Sequence, residues 1–412
     1  MRGDRVSLLD KLSDKGCWEE FYEYKLSLYS SKAFVNRLRA FIDTAGYMPV
    51  AERIKCGVPF PLPKKSIVSK LGKEKKREVY TYPEAENTVL KLLTYLMLRK
   101  YDGLFSHGLY SFRPSRNARD AVKLLTRRRG IDSLYAAKLD ISNYFNSVPV
   151  ERLLPILETA LDDGELYEFL KSLLCEPGAI FEGRVVTPQK GIMAGTPVSA
   201  FLANLYLAGL DERFADMGVL YARYSDDCIA FAPTREEAEG YLDMIKAYLD
   251  KMGLCVNPDK ERLYAPGERW EFLGFSYQQG AVDISEVSLK KLKKKMKRKA
   301  GSLIRWAQRE GLPREKAAKA FIRIFNAKLF ENSGAGELTW SLWYFPVINT
   351  DRSLKALDAY AQECLRYILS GKHTKARFNV RYEYLKRLGL RSLVNEYYKV
   401  KLDKNARQTA KQ

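Results

Sequence analysis

Histidine is nearly absent from this chain: His107 and His373 are the two in 412 residues. The six cysteines, Cys17, Cys56, Cys175, Cys228, Cys255 and Cys364, are scattered and nowhere form the close pairs that hold zinc. These shortages argue against a zinc site and against Cys–His catalysis, and they point to a reducing compartment. Long apolar runs are missing too, so no segment reaches the ~20 residues of a membrane-spanning helix. The polar start Met1-Arg2-Gly3-Asp4-Arg5 has no signal-peptide core, and a cytoplasmic protein with no membrane partner is expected. Negative charge is in deficit: 50 Asp and Glu face 70 Lys and Arg, for a net charge of +20. That imbalance favours a polyanionic partner, nucleic acid first. A hydrophobic share of 46% is enough for a large core in two or three subdomains.

Against this background two acidic sites stand out. Residues 220–224 and 228–232 are apolar, strand-like runs, and Asp226 and Asp227 sit side by side at the bend between them. Adjacent carboxylates repel and raise each other's pKa unless a cation neutralises them, so a rigid hairpin tip holding both points to a divalent metal. Upstream, the run 134–139 ends in Asp140. If these strands share a sheet, Asp140, Asp226 and Asp227 meet at one edge and can hold two Mg²⁺ ions. Paired ions activate an attacking hydroxyl and stabilise a leaving pyrophosphate, the chemistry of nucleotidyl transfer. On these residues alone another reading stays open, with Asp140 as a helix cap and Asp226-Asp227 as a plain turn.

Residues 1–50 mix charged and apolar positions as amphipathic helices do. The proline-broken stretch Gly57-Val58-Pro59-Phe60-Pro61-Leu62-Pro63 leads into a basic hairpin (Lys73, Lys75, Lys76, Arg77, then Val79, Tyr80, Thr81 and Tyr82) and a helix over 89–101. Strand, helix and hairpin signals then alternate to about 280, an α+β pattern. Beyond it, Leu289, Leu292, Met296 and Leu303 recur near helical spacing while eight Lys and Arg between 290 and 299 cover the other faces. Such a helix serves equally as a solvated face or as a phosphate contact. The remainder reads as helical, with Trp340, Trp343, Tyr344 and Phe345 as core aromatics.

In this order the motifs resemble those of bacterial reverse transcriptases, from about Pro59 to Tyr277. Residues 138–145 are similar to the family's first catalytic motif and Tyr224-Ser225-Asp226-Asp227 to its second. The resemblance implies Asp140 and Asp226 as essential metal ligands, Asp227 as the supporting carboxylate and Ile141 as a further member of the metal site. Residues 191–206 resemble the loop-to-helix motif that cradles template and incoming nucleotide: Gly195 permits close backbone approach, and a helix starting near Ser199 aims amide donors at the substrate. Ala194 and Ala200 stand where the family commonly has Gln and Pro, so contacts of that Gln side chain have no counterpart here. Phe145 falls at the family's steric gate against a 2′-hydroxyl, which implies selection of dNTPs. Pro63-Lys64-Lys65 and Lys76-Arg77 resemble the triphosphate-binding fingers motif, with Arg77 as a forked donor and Lys65 as a point charge. Residues 110–113 resemble the next motif, which places Arg113 along template or nucleotide. Residues 253–260 are similar to the motif whose lysine protonates the pyrophosphate, making Lys260 a general acid. Residues 271–275 resemble the primer grip, so Phe272, Leu273 and Gly274, with Lys294 and Lys297 of the basic helix, are expected on primer and template.

The implied fold is α+β, a right-hand polymerase with fingers, palm and helical thumb. A helical extension spans 1–50, fingers 51–135, an antiparallel palm 136–280 that carries a fingers insertion at about 150–195, and a basic thumb with C-terminal extension 281–412. The implied activity is RNA-directed DNA polymerisation with two Mg²⁺ ions, an RNA template and a cDNA product. No Cys–His cluster resembles the zinc-bearing endonuclease of group II intron enzymes, Ser199-Ala200 stands where the diversity-generating lineage has Ser-Gln, and the Val-Thr-Gly of retron thumbs is not found. The chain is most similar to the stand-alone unknown-group class associated with antiphage defence, chiefly over 371–378 and 384–393, which implies a noncoding RNA template. No acidic nuclease constellation follows residue 280, so RNase H activity is not expected. Template-independent or protein-primed DNA synthesis and an inactive RNA-binding scaffold are the alternatives, and oligomeric state is not legible.

Overall fold

The apolar runs that end in acidic residues do pair in one sheet, and the rest of the first half of the chain is arranged around it. The computed structural model describes residues 7–28, 30–69, 76–331, 339–372, 374 and 378–409. Lys73, Lys75, His373, Lys375, Ala376 and Arg377, which figured in the sequence reading, lie outside the described residues. Two compact units divide between Pro266 and Gly267.

In the first unit, helices α1 (Lys15–Ser27), α2 (Lys32–Asp43) and α3 (Met48–Lys55) come first. They are part of the core: Trp18 is fully buried, stacks on Tyr47 at 4.9 Å and donates its indole N–H to Leu12 O at 2.9 Å. The hairpin β1 (Lys64–Ser69) and β2 (Lys76–Thr81) is followed by α4 (Glu84–Lys100) and α5 (Ala118–Thr126). Strand β3 (Tyr135–Asp140) leads through the single turn α6 (Tyr144–Ser147) to α7 (Val150–Ala160), α8 (Gly164–Cys175) and the small hairpin β4 (Ala179–Phe181) and β5 (Arg184–Val186). β4 pairs parallel with β1, giving a sheet of order β2-β1-β4-β5, so this insertion joins the sheet of the preceding segment. Then come α9 (Ser199–Tyr206), α10 (Ala208–Asp216), β6 (Leu220–Tyr224), β7 (Asp227–Ala232), α11 (Arg235–Lys251) and β8 (Arg262–Tyr264).

A second sheet of order β6-β7-β3-β8 is antiparallel throughout. Its central strands read as nearly continuous buried runs because both faces are covered. α11 begins where the Thr234 hydroxyl accepts from Glu237 N–H and lays Ala238, Leu242, Ile245 and Leu249 against the sheet. Burying each of the three larger side chains contributes about 1.5–3 kcal/mol.

The second unit opens with an antiparallel sheet of order β11-β10-β9, made from β9 (Trp270–Phe272), β10 (Phe275–Gln278) and β11 (Ala281–Ile284). Expected at the end of the palm, this sheet packs with the C-terminal helices, since the Phe275 ring lies 5.1 Å from Tyr344 and 6.3 Å from Trp343. The helices are α12 (Glu286–Arg309), α13 (Arg314–Phe330), α14 (Trp340–Tyr344), α15 (Arg352–Ser370), α16 (Tyr382–Arg387) and α17 (Leu393–Thr409). α12 buries Leu292, Met296, Ala300, Leu303 and Ala307 at helical spacing, which leaves most of its cations on the outer faces. Asp358 on α15 accepts from Ser392 Oγ and from the N–H groups of Leu393 and Val394, tying down the start of α17. All six cysteines are free thiols. Among the described residues no helix is long and apolar enough to cross a membrane.

Candidate active site

Antiparallel pairing sets Asp140, the last residue of β3, opposite Asp227, the first of β7. Ser225 takes the left-handed step (φ +60°) that turns β6 into β7, and Ile141 N–H donates to Asp226 O at 3.0 Å. The hairpin tip is thereby fastened to the end of β3. Burial, and after it the charge of Asp140, push the Asp226 carboxyl above its ordinary pKa. Burial also raises that of Asp227, opposed by the Lys138 ammonium 3.6 Å away. Asp227 Oδ1 is buried, and the Lys138 ammonium that faces it stays beyond ordinary hydrogen-bond distance. Asp140 is ion-paired with the Lys260 ammonium and accepts from Asn257 Nδ2 at 3.3 Å. Asn257 N–H closes the same turn by donating to Asp140 O at 2.7 Å.

The expected convergence of three carboxylates is therefore met at the level of the sheet edge and not at ligand distance. Among the described residues no three His, Cys, Asp or Glu side chains form a ready-made metal site, and Asp140 is ion-paired with Lys260. The donor set nonetheless fits a hard divalent cation: carboxylate oxygens alone, one of them buried with the Lys138 ammonium no nearer than 3.6 Å, in surroundings that disfavour their uncompensated charge. Lys260, expected as a general acid, stands at the centre of this group.

Beneath the hairpin lies a buried ion pair that sequence reading passed over. Arg223 and Asp211 expose no side-chain surface, and Arg223 Nε and Nη2 reach Asp211 at 2.7 and 2.5 Å. The remaining donors go to main-chain oxygens, Nη1 to Ser225 and Nη2 to Asn204, both at 3.2 Å. Burial opposes the charge on Arg223, yet the neighbouring carboxylate more than offsets it and holds the guanidinium above its ordinary pKa. Asn204 in turn accepts from Ser111 Oγ at 2.8 Å and donates to Ser111 O at 2.7 Å. One network thus joins the β6–β7 turn, α9 and the 110–113 loop.

The loop before α9 is stitched to the gate and to the hairpin. Ile192 N–H donates to Phe145 O at 2.9 Å, Ala194 N–H to Asn146 Oδ1 at 2.9 Å, and Tyr80 N–H to Ala194 O at 2.8 Å. Gly191 has φ +49°, and a Cβ there would meet Phe145 O at 2.5 Å, so only glycine allows this approach. Gly195 (φ +101°) lies equally close to β2, its Cβ position 3.0 Å from Tyr80 O. α9 begins at Ser199 as expected, but the Ser199 hydroxyl is buried and donates to Thr196 O at 2.6 Å, which shapes the loop. Phe145 is half-buried, edge-on to Phe112 at 6.3 Å.

Three further expectations are corrected. Lys65 and Arg77 do not form one phosphate clamp: Lys65 pairs with Tyr80 and Val68 with Arg77, and alternation puts the two cations on opposite faces of the hairpin. Lys65 is bound to Glu78 at 2.8 Å, while Arg77 is exposed and shares its face with Lys64. Arg113 is buried against Asp102, reached at 2.7 and 2.8 Å, and does not lie along a template. Phe272 is fully buried in the second unit, while Glu271 and the left-handed turn Leu273-Gly274 of the expected primer grip are partly exposed. Lys294 and Lys297 are both exposed on one face of α12.

Residues 62–277, more than half of the chain, match the family described as reverse transcriptase (RNA-dependent DNA polymerase). The chain belongs to the reverse transcriptase family. Members of this family use divalent metal ions, in keeping with the oxygen donors at the sheet edge. The chain is 23% identical over 208 residues to the group II intron-encoded protein LtrA of Lactococcus lactis subsp. cremoris, covering 49% of this chain and 33% of that protein. It is 28% identical over 128 residues to an uncharacterized 91 kDa protein in the cob intron of Schizosaccharomyces pombe, covering 31% and 16%. With the retrovirus-related Pol polyprotein of the type-1 retrotransposable element R2 of Nasonia vitripennis it shares 27% identity over 148 residues, covering 32% and 14%. The chain thus spans a third or less of these relatives' own lengths. Among solved structures it is similar to apo telomerase from Candida tropicalis, with a TM-score of 0.46 at 12% identity over 80% of this chain and 68% of that one.

Within this family frame, the unforeseen site residues are Asp211, Arg223, Asn204 and Asn257. Arg223 carried a signal, a cation inside an otherwise apolar strand, and Asn204 and Asn257 lie within the stretches 191–206 and 253–260 that the family resemblance marks. Asp211 lies on an amphipathic helix where an acidic residue reads as solvated.

Proposed function

We propose that this chain is an RNA-directed DNA polymerase that copies an RNA template into cDNA from dNTPs. The observation that carries the reading is the register of β3 and β7, which places Asp140 opposite Asp227 and buries an Asp227 oxygen that only the Lys138 ammonium, at 3.6 Å, faces. Two Mg²⁺ ions, when bound there, supply activation of the primer 3′-hydroxyl and stabilisation of the pyrophosphate. Asp140 and Asp226 are the ligands, with Asp227 and the backbone at Ile141 in support. Lys260 stands beside Asp140 as the proton donor to the leaving group. Phe145, held by Ile192 and flanked by Phe112, restricts the sugar. The Arg223 network keeps the hairpin tip in place without touching substrate.

The finer reading is a cytoplasmic enzyme of the defence-associated class with a noncoding RNA template, supported by the likeness of residues 371–378 and 384–393 to that class. The test is to sequence DNA made by the purified protein and by an Asp226→Ala, Asp227→Ala double variant, alongside extension of a primed RNA. Wild-type product that matches one RNA, and no product from the variant, is the expected result. Product matching no RNA would indicate template-independent synthesis, and equal results from both proteins would leave only a scaffold.

A further inference from the structure

We propose that a cation-lined cavity beside Phe112 seats a phosphate of the single-stranded template, next to the base being copied. This rests on the polymerase reading above and adds to it a template contact. The cavity, of about 180 Å³, is walled by α1, α4 and the loops at Phe112 and Pro197. Lys25, Lys91 and Arg99 line it, and no carboxylate does. Aromatic rings hold the three cations in place: Lys25 lies 5.0 Å from Phe21, Lys91 4.6 Å from Phe34, and Arg99 3.6 Å from Tyr95.

Crowding of like charge is unfavourable for folding. Burial first, then the charges of Lys91 and Arg99, lower the Lys25 pKa to about 8. A bound anion relieves that repulsion, which gives the cluster a use that stability does not.

Phe112 indicates which anion. Its ring is 37% exposed on a backbone at φ +56°, a conformation that a bulky residue rarely holds. The same ring lies 6.3 Å from Phe145 and 6.2 Å from Tyr224, so it connects the cavity to the gate and to the catalytic hairpin. An exposed ring beside clustered cations suits a single strand, the base stacking while the phosphate is neutralised. Arg113, committed to Asp102, leaves that contact to its neighbours.

The test compares binding of a fluorescent RNA duplex carrying a single-stranded 5′ overhang with binding of the same duplex made blunt, by anisotropy at fixed salt. Full-length wild type, Lys25→Met, Lys91→Met and the control Lys15→Met are used, the last removing the same charge from an exposed position at the start of α1. Lys25→Met and Lys91→Met are expected to weaken overhang binding on the order of tenfold and leave blunt binding unchanged. Lys15→Met is expected to change neither. Equal loss on both duplexes would overturn the proposal, as would unchanged overhang binding with a raised Kd for dNTP, which would make the occupant a free triphosphate. Because binding is read without synthesis, an inactive wild type would sink the polymerase reading while the overhang comparison still judges the cavity.

Discussion

Replacing Asp211 by Ala removes the carboxylate that Arg223 grips through two nitrogens. The guanidinium then stays fully buried with only the Ser225 and Asn204 carbonyl oxygens as acceptors, each at 3.2 Å. Breaking a buried pair in this way costs about 3–5 kcal/mol, set against the roughly 5–15 kcal/mol that holds a native fold. The variant is expected to fold with a loosened hairpin. A chain with two compact units need not unfold in one step, so the suitable assay is amide hydrogen exchange on peptides covering 220–232. A loss of 3–5 kcal/mol corresponds to roughly a hundredfold to several-thousandfold faster exchange there. The double variant Asp211→Leu, Arg223→Met, which buries no charge, should recover most of that protection. Primer extension should stay impaired in it, since the bond from Arg223 to Ser225 O is gone. Exchange accelerated less than about fivefold in Asp211→Ala, or a double variant looser than the single, would refute the reasoning.

Phe145→Ala should admit ribonucleotides; an unchanged ratio of dNTP to rNTP incorporation by the purified variant would count against the gate. Lys25 makes stability depend on pH: with its folded pKa lowered to about 8 from 10.5, the folded chain binds fewer protons than the unfolded chain between those values. Stability from this group therefore rises with pH across that window. Lys25→Met should melt higher than wild type near pH 7.5 and lose that advantage near pH 10.5, and a constant gap in Tm would contradict the assignment. Removing Lys294 and Lys297 together should flatten the log–log salt dependence of RNA binding by about 1.5, given roughly 0.7–0.9 per phosphate contact. An unaltered slope would exclude that face of α12 from the contact surface.

Much of the site was legible because its signals are local. An apolar run ending in Asp140 and another turning at Asp226-Asp227 report strands by composition, and Gly195 marks a close backbone approach. Strand pairing then needed only the sheet to form, which it does with Asp140 opposite Asp227. Where the reading failed, the deciding partner lay far along the chain or one residue out of phase. Arg113 carries the same charge whether it faces a template or Asp102, and Lys65 and Arg77 part company only once register fixes their faces. Phe272 is apolar in either setting, and burial alone makes it core.

The sequence by itself determined the chemistry this protein can hold: three carboxylates at strand ends, cations in excess, and almost no histidine or paired cysteine to offer another metal. Only the tertiary structure decided which charges are free to act. Asp211, buried with Arg223, holds the β6–β7 turn, while Lys25, Lys91 and Arg99 are gathered in one cavity that no carboxylate lines. The physical reason is that a charge acquires its role from what surrounds it at a few ångströms, and in the sequence those surroundings are spread over separate helices, strands and loops.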